Sequence, residues 1–461
     1  MQKTEQFEYV FLGGGKGGKS LAMELAKAGK RVALVERGMI GGSCINVACI
    51  PTKALIRSAR VAQTVQQADS FGVEDEVSRI DMKRVRARVK GVVDSLVEVN
   101  LNGFKAAGFD LLLGSGRFVA PRTIEVRLND GGVRVVEGER VYINTGTHAA
   151  VPAVPGLREA HPLTHVELLQ IEEVPSHLIV IGGGYVGLEL AHAMRELRAG
   201  VTVLQRNSRV APREDADISD AIADAFRADG IDVRTNVVLE SVSGLSGEHV
   251  TVRLAGGETL SGSHLLAATG RVPNTKDIGL DIAGVEVDAR GIIKVDEKLQ
   301  TTANNVFAIG EVAGTPMFTH ASFDDYRVLS SQLAGGTKTT RGRIIPYAMF
   351  IEPELSRIGL NETEAVEKGI AVRVATLPMK AVPRARTNSD TRGFMKVLVS
   401  ADSDEILGFA MLGSEAGEIV STVQVAMLGK LPYTVLRDAP LTHPTLAEGL
   451  NLLFALVPAR G

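Results

Sequence analysis

The sequence is short of cysteine, of surplus charge and of long apolar runs, and each shortage removes a class of protein. Only two cysteines occur in 461 residues, so stability has to come from buried cores and not from disulfide staples. Lysine plus arginine number 51 against 54 aspartate plus glutamate, a formal charge of −3. A protein that lives on phosphate backbones needs a basic surplus, and none is present. No apolar run reaches the roughly 18 residues of a membrane helix. The opening MQKTEQFEYV lacks the charged-then-apolar pattern of a secretion signal. A cytoplasmic protein that binds neither nucleic acid nor membrane is expected. Low-complexity segments are absent too. With 45% hydrophobic and 23% charged residues the composition excludes collagen, coiled coil and disorder. The length suits roughly three domains.

Glycine, by contrast, is plentiful: 49 residues, above the usual share of about 7%, clustered in short strings beside apolar runs. That clustering points to tight strand-to-helix turns. FEYVFLGGGKGGKSLAMELAKAGKRVALVERG reads as strand, turn, helix, strand, with Gly13, Gly15 and Gly18 in a G-x-G-x-x-G turn and the second strand ending at Glu36. HLIVIGGGYVGLELAHAMRELRAGVTVLQRN repeats the unit, with Gly182, Gly184 and Gly187 in the turn and Gln205 at the strand end. First glycine and strand end are 23 positions apart in both copies. One such turn is a weak signal, but two in complete units at equal spacing are a strong one. The first glycine permits the turn, the second lets backbone approach a pyrophosphate, and the third lets helix pack on strand. Glu36 is placed to accept from a ribose. One unit is expected to hold an adenine dinucleotide such as FAD and the other a nicotinamide coenzyme.

Three further features need weighing. GGGKGGKS also fits the phosphate-loop pattern, with Lys19 and Ser20 in its last positions, which would imply a magnesium-dependent triphosphatase; completion of the dinucleotide unit by Glu36 makes this the lesser reading. The basic run from Lys83 to Lys90, within a helix expected from about Asp81 to about Gly103, reads as a solvated face. His148, His161, His165, His177, His192, His249 and His264 show no metal-ligand spacing, and no metal site is assigned. From about Gly342 onward, alternating apolar runs and the stretch GEIVSTVQVAMLGKL read as an antiparallel sheet flanked by helices.

Cys44 and Cys49 lie five positions apart in GGSCINVACIPTKAL. A structural bridge closing so small a ring would stabilise by roughly 2 kcal/mol, and a reducing cytoplasm disfavours it. A redox-active dithiol and a pair of buried free thiols are the readings left by the spacing alone.

With the dithiol and both dinucleotide units in view, the chain resembles the flavoprotein disulfide reductases over nearly its whole length. GGSCINVACIPTK is similar to their redox-cysteine signature and GGGYVGLEL to their nicotinamide turn. ATGRVPNT resembles the segment leading back to the flavin domain, NVFAIGEVAG the ribityl-contacting segment and THPTLAEGLN the C-terminal His-Pro signature. Within the family, GKGGKSLA, CINVACIPTKALI, FTHASFDDYRVL and the tail LPYTVLRD…LTHPTLAEGLNLLFALV resemble the bacterial reactive-chlorine-resistance flavoproteins. That group is similar to mercuric reductase and associated with reduction of copper(II) and hypothiocyanous acid. No cysteine follows Cys49, which disfavours mercuric reductase proper and the large thioredoxin reductases.

The resemblance implies an α/β fold with two Rossmann-like domains and a C-terminal α+β dimerisation domain. FAD would be held by residues 1–152 and 276–341, the coenzyme by 153–275, and the dimer interface would be 342–461. It further implies that Cys49 faces the flavin, Cys44 meets the substrate, and Lys53 pairs with Glu189 near the flavin. His443 and Glu448 would be the acid-base pair, reaching the cysteines of the other subunit, with a cis bond between His443 and Pro444. Gly42, Ser43, Thr145, Gly146, Gly270, Arg271, Gly310 and Glu311 would join Gly13, Gly15, Gly18, Glu36 and Lys53 around FAD. Gly182, Gly184, Tyr185, Gly187, Gln205 and Arg206 would contact the coenzyme. Gln205 brings no negative charge and Arg206 and Arg209 follow it, so NADPH is expected in preference to NADH, which stays possible. Glu311 in place of the family's Asp, Ala48 in place of Gly, and Lys16 in the turn are departures that touch geometry, not reacting groups. The implied activity is a homodimeric NAD(P)H oxidoreductase for a small oxidant or disulfide. A dihydrolipoamide dehydrogenase serving a 2-oxoacid dehydrogenase complex is the alternative.

Overall fold

Strands that end in glycine set the frame of the molecule. In the computed structural model, which describes residues 3–74 and 79–460, Thr4–Leu12 runs parallel to Val32–Glu36, and the helix Lys16–Lys27 connects them. Leu21, Ala22 and Leu25 form one buried helical face, packed with Phe11, Leu34 and Tyr142. Val133–Ile143 and then Val306–Ala308 continue the parallel sheet on its other side. Asp110–Ala120, Thr123–Leu128 and Val133–Ile143 form an antiparallel meander within the same six strands.

The second unit repeats the pattern. His264–Ala267, His177–Ile181, Gly200–Leu204 and Asp232–Arg234 form a four-stranded parallel sheet, with the helix Tyr185–Glu196 after the glycine turn. Where the chain passes between the units, Thr147–Ala149 pairs antiparallel with Arg271–Pro273. The last part is a five-stranded antiparallel sheet in the order Tyr347–Met349, Leu355–Gly359, Ile406–Leu412, Phe394–Ser400, Val372–Pro378. Its core joins Phe409 and Met411 to Val423 of the helix Ala416–Leu428 and Phe454 of the helix Gly449–Ala455.

The basic helix starts as expected but runs further, spanning Met82–Ala107. Asp81 caps it by accepting from the Arg84 amide at 3.1 Å. Gly103 does not end it, because Phe104 and Ala107 beyond are buried; it ends at Gly108, whose φ of +75° supplies the left-handed cap. Lys83, Arg84 and Lys90 on this helix are exposed. Among the described residues no helix is long and apolar enough to cross a membrane.

Candidate active site

Each glycine turn is completed by the side chain at the end of its second strand. Glu36 accepts from the Gly14 amide at 2.9 Å and from Gly38 and Met39 at 3.0 Å each. In the second unit Gln205 Oε1 takes the same place, accepting from the Gly183 amide at 3.2 Å, and its Nε2 donates to the Arg209 carbonyl. Gly13 and Gly182 have φ of +103° and +110° and lie against carbonyls, of Asn144 and Ala268, that a Cβ would strike at 2.4 Å. The Gly18 amide donates to Asn144 Oδ1, against which Gly15 is also packed. Gly187 lies against the Gly182 carbonyl. The backbone at Gly146, Gly184 and Gly270 is open, with no heavy atom within 4 Å of a Cβ position. Beside Gly146, Thr145 Oγ1 is buried without a hydrogen-bond partner. Open backbone at these three glycines and an orphaned hydroxyl beside Gly146 fit bound dinucleotides.

The redox turn packs directly on the first glycine turn: a Cβ on Gly42, whose φ is +88°, would meet Gly15 Cα at 2.8 Å. Ser43–Asn46 forms one helical turn carrying Cys44, and Cys49 is the first residue of the helix Cys49–Gln66. The two thiols interact with each other. They are not equivalent. The Cys44 thiol pulls Cys49 down to about 6, against burial, with help from Thr319 and Lys53; Cys49 and burial push Cys44 up. A thiolate at Cys49 also sits at the positive end of its helix. Thr319 Oγ1 lies 3.4 Å from Cys49 Sγ. One turn along, Lys53 Nζ donates to Glu189 Oε2 at 2.6 Å and stands 4.6 Å over the Phe350 ring, while Glu189 Oε1 accepts from the Phe350 amide. On the last domain, His443 Nδ1 is 2.7 Å from Glu448 Oε2, and the His443–Pro444 bond is cis. The His443 side chain is 70% exposed, and its recorded partner is Glu448, with neither cysteine of its own chain.

Comparison with known proteins now decides the family. The pyridine nucleotide-disulphide oxidoreductase profile matches residues 7–325, and the dimerisation domain of the same family matches 345–453. The chain belongs to the pyridine nucleotide-disulphide oxidoreductases. It is an FAD flavoprotein that uses NAD(P)H, and its C-terminal part is a dimerisation domain. It is 38% identical over 458 residues to the probable pyridine nucleotide-disulfide oxidoreductase RclA of Escherichia coli, covering 98% of this chain and 99% of that one. Mercuric reductase of Shigella flexneri is 35% identical, over 96% of this chain and 79% of its own. The structure of the HOCl-induced flavoprotein disulfide reductase RclA from E. coli, as a Cu(II) complex, superposes with a TM-score of 0.90 at 37% identity, covering 99% of this chain and all of that one.

In this oxidoreductase several expected site residues are engaged in ways their spacing did not reveal. The Glu311 carboxylate hydrogen-bonds Thr147 and lies 3.1 Å from Arg271 Nε, so its additional methylene reaches a neighbour across the interdomain strand pair. Gly310, with φ of +78°, donates to Asp325 Oδ2 at 2.8 Å; Asp325 is fully buried and also binds Thr315 and Arg343. Tyr185 donates to Glu214, whose same oxygen accepts from Tyr347 of the dimerisation domain at 2.9 Å. Arg206 is exposed and, among the described residues, makes no ion pair, but Arg209 is paired with Asp220 at 2.8 Å. The phosphate-loop reading fails locally: Ser20 Oγ donates to the Lys16 carbonyl at 2.7 Å, and Lys19 is buried against Asn100. Thr319, Asp325, Glu214 and Asn144 were not read from the sequence. Thr319 and Asp325 lie in the FTHASFDDYRVL run, but like Glu214 and Asn144 they meet partners that folding brings from elsewhere in the chain.

Proposed function

We propose that this chain is a homodimeric, cytoplasmic reductase that draws electrons from NADPH and delivers them through Cys44 to a small oxidant or disulfide, of the copper(II) or hypothiocyanous acid type. In this reading residues 1–152 and 276–341 hold FAD around the Gly13 turn, Glu36, Gly42, Ser43, Thr145, Gly146, Gly270, Arg271, Gly310 and Glu311. Residues 153–275 hold the coenzyme at the Gly182 turn, and 342–461 form the interface. FAD, when bound, supplies the relay of two electrons between coenzyme and dithiol. The observation that carries the reading is the unequal thiol pair. Cys49, charged near neutral pH and flanked by Lys53 and Thr319, suits the inner place. Cys44 is held protonated at rest, so it suits the outer place only with a base to take its proton.

Attack by Cys44 requires that its proton leave. His443 of the partner subunit, oriented by Glu448, takes it and returns it to the departing product. Reoxidation of the pair to the disulfide then releases two electrons, which one hypothiocyanous acid or disulfide, or two copper(II) ions, take up. Because no cysteine follows Cys49, no second dithiol within the chain relays them. The Cu(II) complex and HOCl induction named for the E. coli relative support a small oxidant. The test is an anaerobic acceptor panel of copper(II), mercury(II), hypothiocyanite, oxidised low-molecular-weight thiols and lipoamide. Copper(II) or hypothiocyanite is expected to turn over fastest, and Cys44→Ser to abolish it. Faster turnover of lipoamide overturns the reading in favour of a 2-oxoacid dehydrogenase subunit.

A further inference from the structure

Two lysines are buried among the described residues, and they are treated in opposite ways. Lys396, 2% exposed, is surrounded by Asp215, Asp217 and Glu362. Lys19, 4% exposed, has no carboxylate within ion-pair distance among the described residues; its ammonium donates to the neutral Asn100 amide oxygen at 2.5 Å. A buried cation without a counter-charge is costly. Its position shows which anion it serves. A Cβ on Gly41 would meet Lys19 Nζ at 3.1 Å, Asn100 Cγ at 3.1 Å and Ile45 Cδ1 at 2.8 Å. The ammonium therefore lies against Gly41, in the same space as the side chain of Ile45, the residue after Cys44. We propose that Lys19 is a positioning residue whose charge, held against the redox turn by Asn100, favours the thiolate of the outer sulfur.

Charged neighbours agree with this placement. Burial and Lys16 pull Lys19 down to about 8, which leaves it charged at neutral pH, and Cys44 acts on it in the opposite sense. Lys53 and Glu189 are the charged neighbours of Cys49, and Thr319 acts on both sulfurs, so each sulfur has its own lysine. The inference rests on Cys44 being the outer sulfur.

The test uses FAD-loaded enzyme, reduced anaerobically with dithiothreitol and treated with iodoacetamide across a range of pH. The thiol proton passes to buffer, one S–C bond forms and iodide leaves. Mass mapping identifies the sulfur modified. Lys19→Met removes the charge, and Asn100→Asp keeps the lysine but sets a carboxylate against it, so the second variant decides if the first does not fold. Both are expected to slow alkylation of Cys44 at neutral pH by about tenfold, moving its pH profile upward by about one unit. An unchanged profile in a variant that retains FAD overturns the proposal. So does loss of FAD with an unchanged profile, which would assign Lys19 to the cofactor's phosphates. Bound FAD would cover the inner sulfur, so preferential modification of Cys49 in the FAD-loaded wild type would overturn the sulfur assignment itself, a separate result.

Discussion

Among single residues, the difference between Cys44 and Cys49 has the largest chemical consequence. Cys49 owes its low value to Cys44 first, with Thr319 and Lys53 adding to it against burial and Glu189. A thiol held near 6 is anionic above that pH and neutral below it. The long-wavelength absorbance expected of the two-electron-reduced enzyme should therefore fade as pH drops through about 6. Thr319→Val removes one hydrogen bond to the thiolate and should move that midpoint up by about one unit. Cys44→Ser should keep the band and Cys49→Ser lose it; the opposite result reverses the two sulfurs. Coenzyme choice is also argued residue by residue. Since Arg209 is already paired with Asp220, the proposed NADPH preference falls to the exposed Arg206 as donor for a 2′-phosphate. Arg206→Ala should lower kcat/KM for NADPH by about tenfold while leaving NADH unaffected, and Arg209→Ala should do less. A wild type that prefers NADH in steady-state kinetics refutes the assignment.

Turns and their packing partners decide what each unit holds. Gly42, with φ of 88° and ψ of 175°, occupies backbone space open essentially to glycine alone, and Gly15 Cα stands where a Cβ would go. Gly42→Ala should cost about 1–3 kcal/mol and appear as weakened FAD retention, read from the flavin-to-protein absorbance ratio, together with a lower Tm. In the coenzyme unit, a Cβ on Gly187 would come within 2.0 Å of the Gly182 carbonyl oxygen. Gly187→Ala should therefore slow reduction by NADPH and leave FAD in place. The helix Thr319–Leu333 contributes Thr319 to the sulfur and, two turns later, Asp325 to the Gly310 turn. Losing Asp325 leaves the Gly310 amide unpaired and takes from the half-buried Arg343 its nearer carboxylate, with Asp324 remaining at 3.7 Å. Asp325→Ala is expected to destabilise by about 1–3 kcal/mol, measured by thermal unfolding.

For the molecule as a whole, the proposed site is completed by a second chain. His443 is exposed and supported by Glu448, and the dimerisation domain carries exposed apolar residues, including Val425, Leu428, Leu431 and Leu456, of the kind an interface covers. Mixing Cys44→Ser with His443→Ala, each inactive alone, should restore about a quarter of wild-type activity, because half the random dimers are mixed and each holds one intact site. No recovery after demonstrated subunit exchange argues against catalysis across the interface.

Local rules were enough for much of this. Two glycine turns, their helices and the acid or amide closing each turn follow from φ requirements and close backbone approach. These act within about 25 residues of chain, so Gly13, Glu36, Gly182 and Gln205 were legible as a pattern. The cysteine spacing was equally plain, but left alone it allowed two readings. Folding decided the rest. It brought Thr319 to Cys49, Glu189 to Lys53, Asp325 to Gly310 and Glu214 to two tyrosines of different domains. None of these pairs has a fixed separation along the chain. Even the phosphate-loop lysine changed meaning: its pattern suggested a triphosphate, and the packing of Asn100 and Gly41 set it against the redox turn. Sequence motifs specify backbone shape at short range, whereas the burial and side-chain contacts that together set the charge of each sulfur exist only once distant segments pack.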